Sequence, residues 1–329
     1  MLVANEFLEA ELEASVSRGY FRGVRKIKSL LWLTSENVEP ILQEVSNSMP
    51  EKSTDAVFER WQAEKYPPVE HCIYCGSTDG LSDEHIIPFG LQPKGGDWFL
   101  PKASCEECAK ITKGFEGSCL QGTLGPFRAK LNLKSRRKPK STFEKTMIFR
   151  EDDRTESETV PLEEFPTSCL GFNWQEAGLL RHIEPATEFE GELVVRYPKG
   201  EIEKYVREGE GIKLGRVRPL DYARMLAKIA HSYAVARFGE SAFEPLLPSL
   251  IIGKDAHAPH LVGGDKSGAP LNDQPETLHD IYPQACDIGG VPYLLIGLRL
   301  FAFMGMPRYL IATGKIRDGE LGDLRKNRL

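Results

Sequence analysis

The sequence has no apolar run long enough to cross a membrane and no excess of positive charge. Its longest apolar stretch, residues 291–306, is interrupted by Arg299 and by glycines, whereas a membrane-spanning helix needs about 20 consecutive apolar residues. The first residues, MLVANEFLEAELEAS, have neither a basic segment nor a continuous apolar core, so we expect no signal peptide and no membrane partner. The net charge of −6 means that any contact with nucleic acid must come from local basic patches.

The cysteines do not fit a disulfide framework. Their number is odd, seven, and four of them form two Cys-x2-Cys pairs, Cys72 with Cys75 and Cys105 with Cys108. Thiolates at this spacing lie in one tight turn and can face one ion, and two such turns complete a tetrahedral four-cysteine site. We therefore expect one structural Zn²⁺ in a protein of a reducing compartment, the cytoplasm. The isolated Cys119, Cys169 and Cys286 are most simply small buried residues.

The segment between the two cysteine pairs contains the sequence Glu84-His85-Ile86-Ile87-Pro88. A carboxylate beside a histidine, followed by two aliphatic residues and a proline, resembles the HNH nuclease family, in those members whose ββα-metal motif carries a four-cysteine zinc. The resemblance covers residues 72 to about 116 of the 329 and implies a strand that carries the Glu-His pair. It also implies that the second cysteine pair opens a helix, which we expect over residues 106–115.

The resemblance implies a mechanism with few parts. His85 would be the general base that takes a proton from water, because an imidazole with an ordinary pKa of about 6.5 is mostly neutral at cellular pH. Glu84 would supply a hard oxygen ligand to a catalytic Mg²⁺ or Mn²⁺. Neighbours on a strand normally point to opposite faces, so both roles require the strand to end or bend here. The alternatives for His85 are a spare zinc ligand or an ordinary polar surface residue.

Two positions depart from the family pattern. The family has an asparagine, which orients the general base through its loop, near the position of Leu100. It also has a metal-binding histidine or asparagine directly after the last cysteine, where this chain has Ala109. The metal site matched in this way is one ligand short. Thr112 and Glu116 lie one and two turns further along the expected helix and are the candidates to complete it, although Glu116 is also what a solvated helix acid would look like.

A basic segment follows the HNH-like unit. Residues 128–140 contain seven basic residues and no acidic one, and residues 151–164 contain seven acidic residues and one arginine. The two segments would face each other if both were solvated loops. Alternatively, the basic segment binds phosphates, with Arg136, Arg137 and Lys138 as the candidate nucleic-acid contacts.

The rest of the sequence predicts a fold class, domain bounds and a few secondary-structure elements. We expect an α+β protein in which a small zinc-stabilised ββα-metal (HNH) unit, residues 67–127, lies between an N-terminal helical region, residues 1–66, and a C-terminal α+β domain of unassigned role, residues 141–329. Residues 128–140 are the basic linker. Within the C-terminal domain the pattern predicts a hairpin of residues 193–197 with 202–206, a core helix over residues 220–238, and two buried strands within residues 292–316.

Three functions remain open at this point. The first is a metal-dependent HNH-type endonuclease that hydrolyses phosphodiester bonds, with double-stranded DNA as the expected substrate. The second is a zinc-dependent nucleic-acid-binding protein on the same scaffold that has lost catalysis, which Leu100 and Ala109 favour. The third is an interaction module whose zinc unit only maintains its fold. Salt-dependent DNA binding separates the third from the other two, and metal-dependent cleavage separates the first from the second.

Overall fold

The computed structural model describes residues 64–138, 140–149, 154–197, 210–213, 218–266 and 277–317, together with residues 32–34, 58, 61, 204 and 205. These residues form a mixed α+β protein, as expected. The strands are β1 (Trp32–Thr34), β2 (Leu81–His85), β3 (Phe99–Cys105), β4 (Thr142–Phe149), β5 (Arg154–Pro161), β6 (Cys169–Trp174), β7 (Gly191–Arg196), β8 (Glu210–Lys213), β9 (Phe243–Pro245), β10 (Val262–Gly264), β11 (His279–Ile288), β12 (Val291–Leu300) and β13 (Tyr309–Ile316). The helices are α1 (Glu106–Ser118), α2 (Gly125–Lys130), α3 (Pro219–Phe238), α4 (Pro248–Ile251) and α5 (Ala258–Leu261), and a π-helical segment, Cys119–Thr123, continues α1.

The named strands pair antiparallel throughout. One sheet has the order β1-β8-β4-β5, and a second has the order β10-β13-β12-β11, with β9 also paired to β13. Two separate hairpins, β2-β3 and β6-β7, complete the set. Hairpin β2-β3 leads directly into α1, so this part of the chain has the element order β-β-α.

Helix α3 is the central element of the core. Pro219 lies in its first turn with Asp221, and Gly239, with a φ of 73°, follows its last residue. This is the proline-first, glycine-last arrangement that favours a helix with defined ends. Apart from Arg224, every residue from Tyr222 to Val235 is buried, because α3 packs between α1 on one side and strands β12 and β13 on the other. The predicted core helix is confirmed.

The β-β-α unit shares its core with the C-terminal region. Its buried side chains, among them Ile86, Leu91 and Phe115, belong to one apolar cluster with residues of α3 and of β11–β13. A unit of about 50 residues buries too little apolar surface to be stable alone. Much of the missing core is therefore supplied by α3, from a distant part of the sequence.

Two expectations about secondary structure differ from the structure. Most of the predicted helical region, residues 1–66, lies outside the described residues, but Trp32–Thr34 is a strand paired with β8. The predicted hairpin partner of β7 is wrong: β7 pairs with β6, and Lys204 and Tyr205 form a short helical turn. The pairing β6-β7 buries Phe172 and Trp174 against Tyr222 of α3, which local sequence alternation does not reveal. The two buried strands predicted within residues 292–316 are confirmed as β12 and β13.

Candidate metal centre and active site

The four paired cysteines meet in space. Cys72 and Cys75 lie on the loop before β2, Cys105 ends β3, and Cys108 lies in the first turn of α1. Their four sulfur atoms lie within 4.8 Å of one another, and the Sγ atoms of Cys75 and Cys105 are 3.6 Å apart. Tetrahedral coordination at about 2.3 Å places sulfurs about 3.8 Å apart, whereas a disulfide needs about 2.05 Å. The cluster is compatible with a structural metal ion.

Local backbone geometry explains why the first cysteine pair forms a turn. The N–H of Gly76 donates to the carbonyl of Cys72 over 2.8 Å, and the N–H of Cys72 donates to the carbonyl of Ser77 over 2.7 Å. Gly76 has a φ of 76°, a left-handed conformation that only glycine adopts readily. The second pair is oriented by the N-terminus of α1, whose positive end favours thiolates.

The pKa values of three of the four thiols are shifted by their surroundings. Burial raises the pKa of Cys72 and of Cys108, whereas hydrogen bonding to the backbone of Ser77 lowers that of Cys75. Without a metal the thiols of Cys72 and Cys108 would therefore be protonated at neutral pH. Metal binding must release protons, and the affinity must fall as the pH falls.

Strand β2 carries Glu84 and His85 at its C-terminal end. Its pairing with β3 is irregular between Ser82 and Glu84, and β2 ends at His85. Because the strand is irregular and ends here, the neighbouring side chains of Glu84 and His85 both line one large open cleft. Glu84 is buried and His85 is half-buried. The expectation of a short strand that carries both residues is confirmed.

The Glu84 carboxylate binds a lysine from α3. Lys228 has no exposed surface, and its Nζ lies 2.7 Å from Oε1 of Glu84 and 3.0 Å from Oε1 of Glu116. It also donates a hydrogen bond to the backbone carbonyl of His85. The two carboxylates that the sequence assigned to a divalent ion thus share one ammonium group.

This ammonium group is charged in spite of its burial. Burial by itself lowers the pKa of a lysine, but the nearby Glu116 and Glu84 outweigh it, and the pKa of Lys228 is raised. Burial also raises the pKa of Glu116, against the lowering effect of Lys228. A divalent ion within about 2.1 Å of the same two oxygens would have to occupy the volume of this ammonium group. As arranged, the two carboxylates do not fit a catalytic divalent ion between them.

His85 has the environment of a neutral imidazole. Burial and the positive charge of Lys228 lower its pKa to about 4, although Glu84 opposes the shift. Its ring lies against Phe89, with ring centroids 5.4 Å apart. Within the described residues no hydrogen-bond partner holds either ring nitrogen, so both remain available to a ligand in the cleft.

The loop after His85 is fixed by a glutamine. Gln92 is fully buried, and its side-chain amide donates to the carbonyl of Ile87 over 2.6 Å while its side-chain oxygen accepts from the N–H of Trp98 over 3.0 Å. One side chain therefore ties together the two ends of the connection between β2 and β3. The family pattern predicted a loop-orienting residue near Leu100. It did not predict Gln92, because a glutamine in a loop belongs to no periodic pattern.

His85 lies in a large open cleft of about 1320 Å³ that the basic segment also lines. The cleft is lined by seven lysines and arginines and five acidic residues, and Glu84 and Glu116 lie among the latter. Arg136 reaches towards the centre of the site, with its guanidinium carbon 5.4 Å from the ring centroid of Phe89. The side chains of Arg136, Arg137 and Lys138, here called the exposed basic triplet, are exposed.

Two other basic residues of this segment, Arg128 and Lys134, have structural partners. Arg128 donates to the carbonyls of Gly90, Leu120 and Lys134, and Lys134 pairs with Asp97 over 2.6 Å. Their charges therefore hold the wall of the cleft. Two acidic residues of the segment 151–164 pair elsewhere, Glu158 with Lys145 and Glu156 with Arg154, and the described residues show no ion pair between that segment and the exposed basic triplet.

Of the remaining candidates, only Thr112 lines the cleft. His71 contacts the carbonyl of Val69 and the carboxylate of Glu240, outside the cysteine cluster. Thr112 donates to the carbonyl of Ala109 within α1. Leu100 is buried opposite Glu84.

Lys228 is the main functional candidate that the sequence patterns did not reveal. The available signal was a lysine on the buried side of an alanine-rich helix, where an uncompensated charge is costly. Its partners lie more than 100 residues away in sequence.

Comparison with protein-family models, with curated proteins and with solved structures gives no significant match for this chain. Among the described residues, no helix is both long enough and apolar enough to span a membrane. Any functional assignment therefore depends on the geometry of the cleft and of the cysteine cluster.

Proposed function

We propose that this protein is an HNH-type endonuclease that hydrolyses phosphodiester bonds in nucleic acid, with duplex DNA as its expected substrate and Zn²⁺ held by the four cysteines. The observation that supports this proposal most is a combination within one cleft. The neutral imidazole of His85, at the end of the first strand of the β-β-α unit, faces the same cleft as three exposed basic side chains. The hairpin and helix are themselves joined by a cluster of four cysteines.

His85 acts as the general base. A ring nitrogen accepts a proton from water while the water oxygen bonds to phosphorus, and the bond from phosphorus to the 3′ oxygen breaks. The leaving oxygen is protonated from solvent. A pKa of about 4 keeps the ring neutral at physiological pH. A bound phosphodiester adds negative charge beside the ring and raises its pKa towards the working range.

The exposed basic triplet positions the nucleic-acid backbone. These three side chains protrude from the wall of the cleft that contains His85, and phosphate contacts of this kind fix the register of the substrate without reading its sequence. Arg136 is the member of the triplet whose charge contributes to lowering the pKa of His85. We assign to Arg136 the phosphate next to the scissile bond.

Gln92 takes the role that the family resemblance gives to an asparagine. It ties the carbonyl of Ile87 to the N–H of Trp98 and so orients the loop that follows His85. Mg²⁺ or Mn²⁺ is also expected from the resemblance, but the contacts of Lys228 with Glu84 and Glu116 argue against an ion between these carboxylates. The proposed mechanism therefore uses no such ion.

The test is a plasmid nicking assay with the zinc-loaded full chain. Wild type is incubated with supercoiled DNA with and without added Mg²⁺ or Mn²⁺, and compared with His85→Ala. The matched control is His257→Ala, which removes the same ring from an exposed loop outside the cleft. We expect cleavage by wild type and by the control, and a loss of about 10²–10⁴-fold for His85→Ala. Equal cleavage by His85→Ala would exclude it as the base.

The alternative function is nucleic-acid binding without catalysis. It is favoured by one observation: Lys228 holds both carboxylates that the family mechanism would give to a catalytic ion. In that case wild type binds DNA in a salt-dependent manner and does not cut it with any divalent ion or any nucleic acid supplied. Binding that neither cuts nor weakens with salt would instead support an interaction module.

A further inference from the structure

We infer that Lys228 is the resident cation of this site: its ammonium group takes the place of a divalent ion between Glu84 and Glu116. For the reaction, the inference rests on the proposed function and implies cleavage that needs no added divalent ion. The statement about cation binding is independent of that function.

The ammonium group of Lys228 is surrounded by three oxygen acceptors. A lysine ammonium has three N–H donors and no acceptor. Here it contacts three acceptors, namely the carboxylates of Glu84 and Glu116 and the carbonyl of His85. The ammonium group has no exposed surface. A lysine that only covered an apolar surface would extend its charged end to water.

The three acceptors come from both parts of the β-β-α unit. Glu84 and His85 lie at the end of β2, Glu116 lies in the last turns of α1, and the lysine itself comes from α3. The ammonium thus connects the strand and the helix of the β-β-α unit, as an ion bound by both would. It does so from a third element that is fixed in the core.

Helix α3 is also held in register with this unit. His231, about one turn after Lys228, contacts the carbonyl of Ile73 over 2.8 Å. The hydroxyl of Ser232 donates to the carbonyl of Lys228 over 2.8 Å and lies 3.3 Å from the hydroxyl of Tyr74. Ile73 and Tyr74 belong to the first cysteine turn. The same face of α3 therefore positions both the cysteine cluster and the ammonium group, which limits any movement of Lys228 out of the site.

Electrostatic repulsion opposes a second cation at the site. A dication near the outer carboxylate oxygens would lie only a few ångströms from a charged, desolvated ammonium group, and like charges at that distance repel strongly in a protein interior. Removing the ammonium while nearly keeping the side-chain length, as in Lys228→Met, would leave two buried carboxylates facing an apolar side chain. Two such carboxylates attract a hard cation.

The test is a titration of the zinc-loaded full chain with Mn²⁺, followed by calorimetry and by the electron paramagnetic resonance signal of free Mn²⁺. We expect no saturable site in wild type and about one site per chain in Lys228→Met. Adding Glu84→Gln and Glu116→Gln to Lys228→Met should remove that site. A folded Lys228→Met that binds no Mn²⁺ would overturn the inference. So would a wild-type site that Glu84→Gln abolishes.

A second measurement covers failure of the variant to fold. If Lys228→Met shows no cooperative unfolding, wild type is compared with Glu84→Gln instead. Absence of Mn²⁺ binding in both proteins supports the inference, and a wild-type site that is missing from Glu84→Gln overturns it.

The reaction is tested with wild type passed over a chelating resin, with zinc content checked by elemental analysis. Undiminished cleavage supports the inference, and cleavage that returns only with Mg²⁺ or Mn²⁺ contradicts it. No cleavage under any condition counts against the proposed function, while the Mn²⁺ titration still decides the role of Lys228.

Discussion

The buried ring of His231 predicts how the stability of the protein depends on pH. This side chain has no exposed surface, and its Nε2 lies 2.8 Å from the carbonyl of Ile73. A carbonyl only accepts, so Nε2 carries the proton of the neutral ring. Nδ1 is buried without a partner among the described residues, so a second proton there would have no acceptor. Burial lowers the pKa of His231 to about 4, although the hydrogen bond opposes the shift.

The sign and size of the effect follow from linkage. In the unfolded chain the ring has a pKa of about 6.5, so below that pH the unfolded state binds a proton that the folded state does not. The contribution of the neutral ring is therefore fully present above about pH 6.5 and is lost as the pH falls towards 4. The loss is about 2 kcal/mol at pH 5 and about 3 kcal/mol at pH 4, relative to pH 8.

The assay is urea unfolding of zinc-loaded wild type and of His231→Gln between pH 5 and pH 8. Glutamine keeps a donor for the carbonyl of Ile73 but does not titrate. The difference in unfolding free energy between the two proteins cancels the contribution of the cysteines, which titrate in both. We expect this difference to shift by about 2 kcal/mol against wild type between pH 8 and pH 5. A difference independent of pH would show that the ring is hydrated in the folded protein, and would refute this reasoning.

Three further sets of variants test the site. Gln92→Leu leaves the carbonyl of Ile87 and the N–H of Trp98 without their partner, so we expect a loss of about 2–5 kcal/mol in unfolding free energy, measured with urea, and a slower reaction; an unchanged midpoint would remove Gln92 from this role. Neutralising the exposed basic triplet with glutamine should lower the log–log salt slope of DNA binding by about 0.9 for each phosphate that the protein no longer neutralises, while Arg181→Gln, outside the cleft, should leave the slope unchanged. Elemental analysis should find about one zinc per chain in wild type and none in Cys72→Ser, which should lose the cooperative unfolding of the surrounding unit; wild type without zinc would refute the cysteine assignment.

Local patterns were sufficient for several parts of this structure. The spacing of the four cysteines predicted their cluster, and the proline, acid and glycine around α3 predicted its ends. These features depend on residues within one or two turns of each other. The strand that carries Glu84 and His85 was likewise predicted from its own short motif.

The predictions that failed concern contacts between distant residues. Strand β7 was given the wrong partner, because a hairpin through a Pro198-Lys199-Gly200 turn and the pairing with β6 are consistent with the same local alternation. Lys228 was assigned to an ordinary core helix, since nothing near it in sequence shows that Glu84 and Glu116 are its partners. By sequence alone Glu116 resembles a solvated helix acid, because no local pattern shows that α3 packs against α1 and brings Lys228 to it.

The single-turnover cleavage rate of duplex DNA, measured for zinc-loaded wild type and His85→Ala, tests the central claim most directly. Saturating protein removes product release and differences in affinity from the comparison. We predict a rate lower by about 10²–10⁴-fold for His85→Ala, with zinc content and DNA affinity nearly unchanged because many phosphate contacts remain. A wild type and a His85→Ala variant that cut at the same rate would contradict the assignment of His85 as the base.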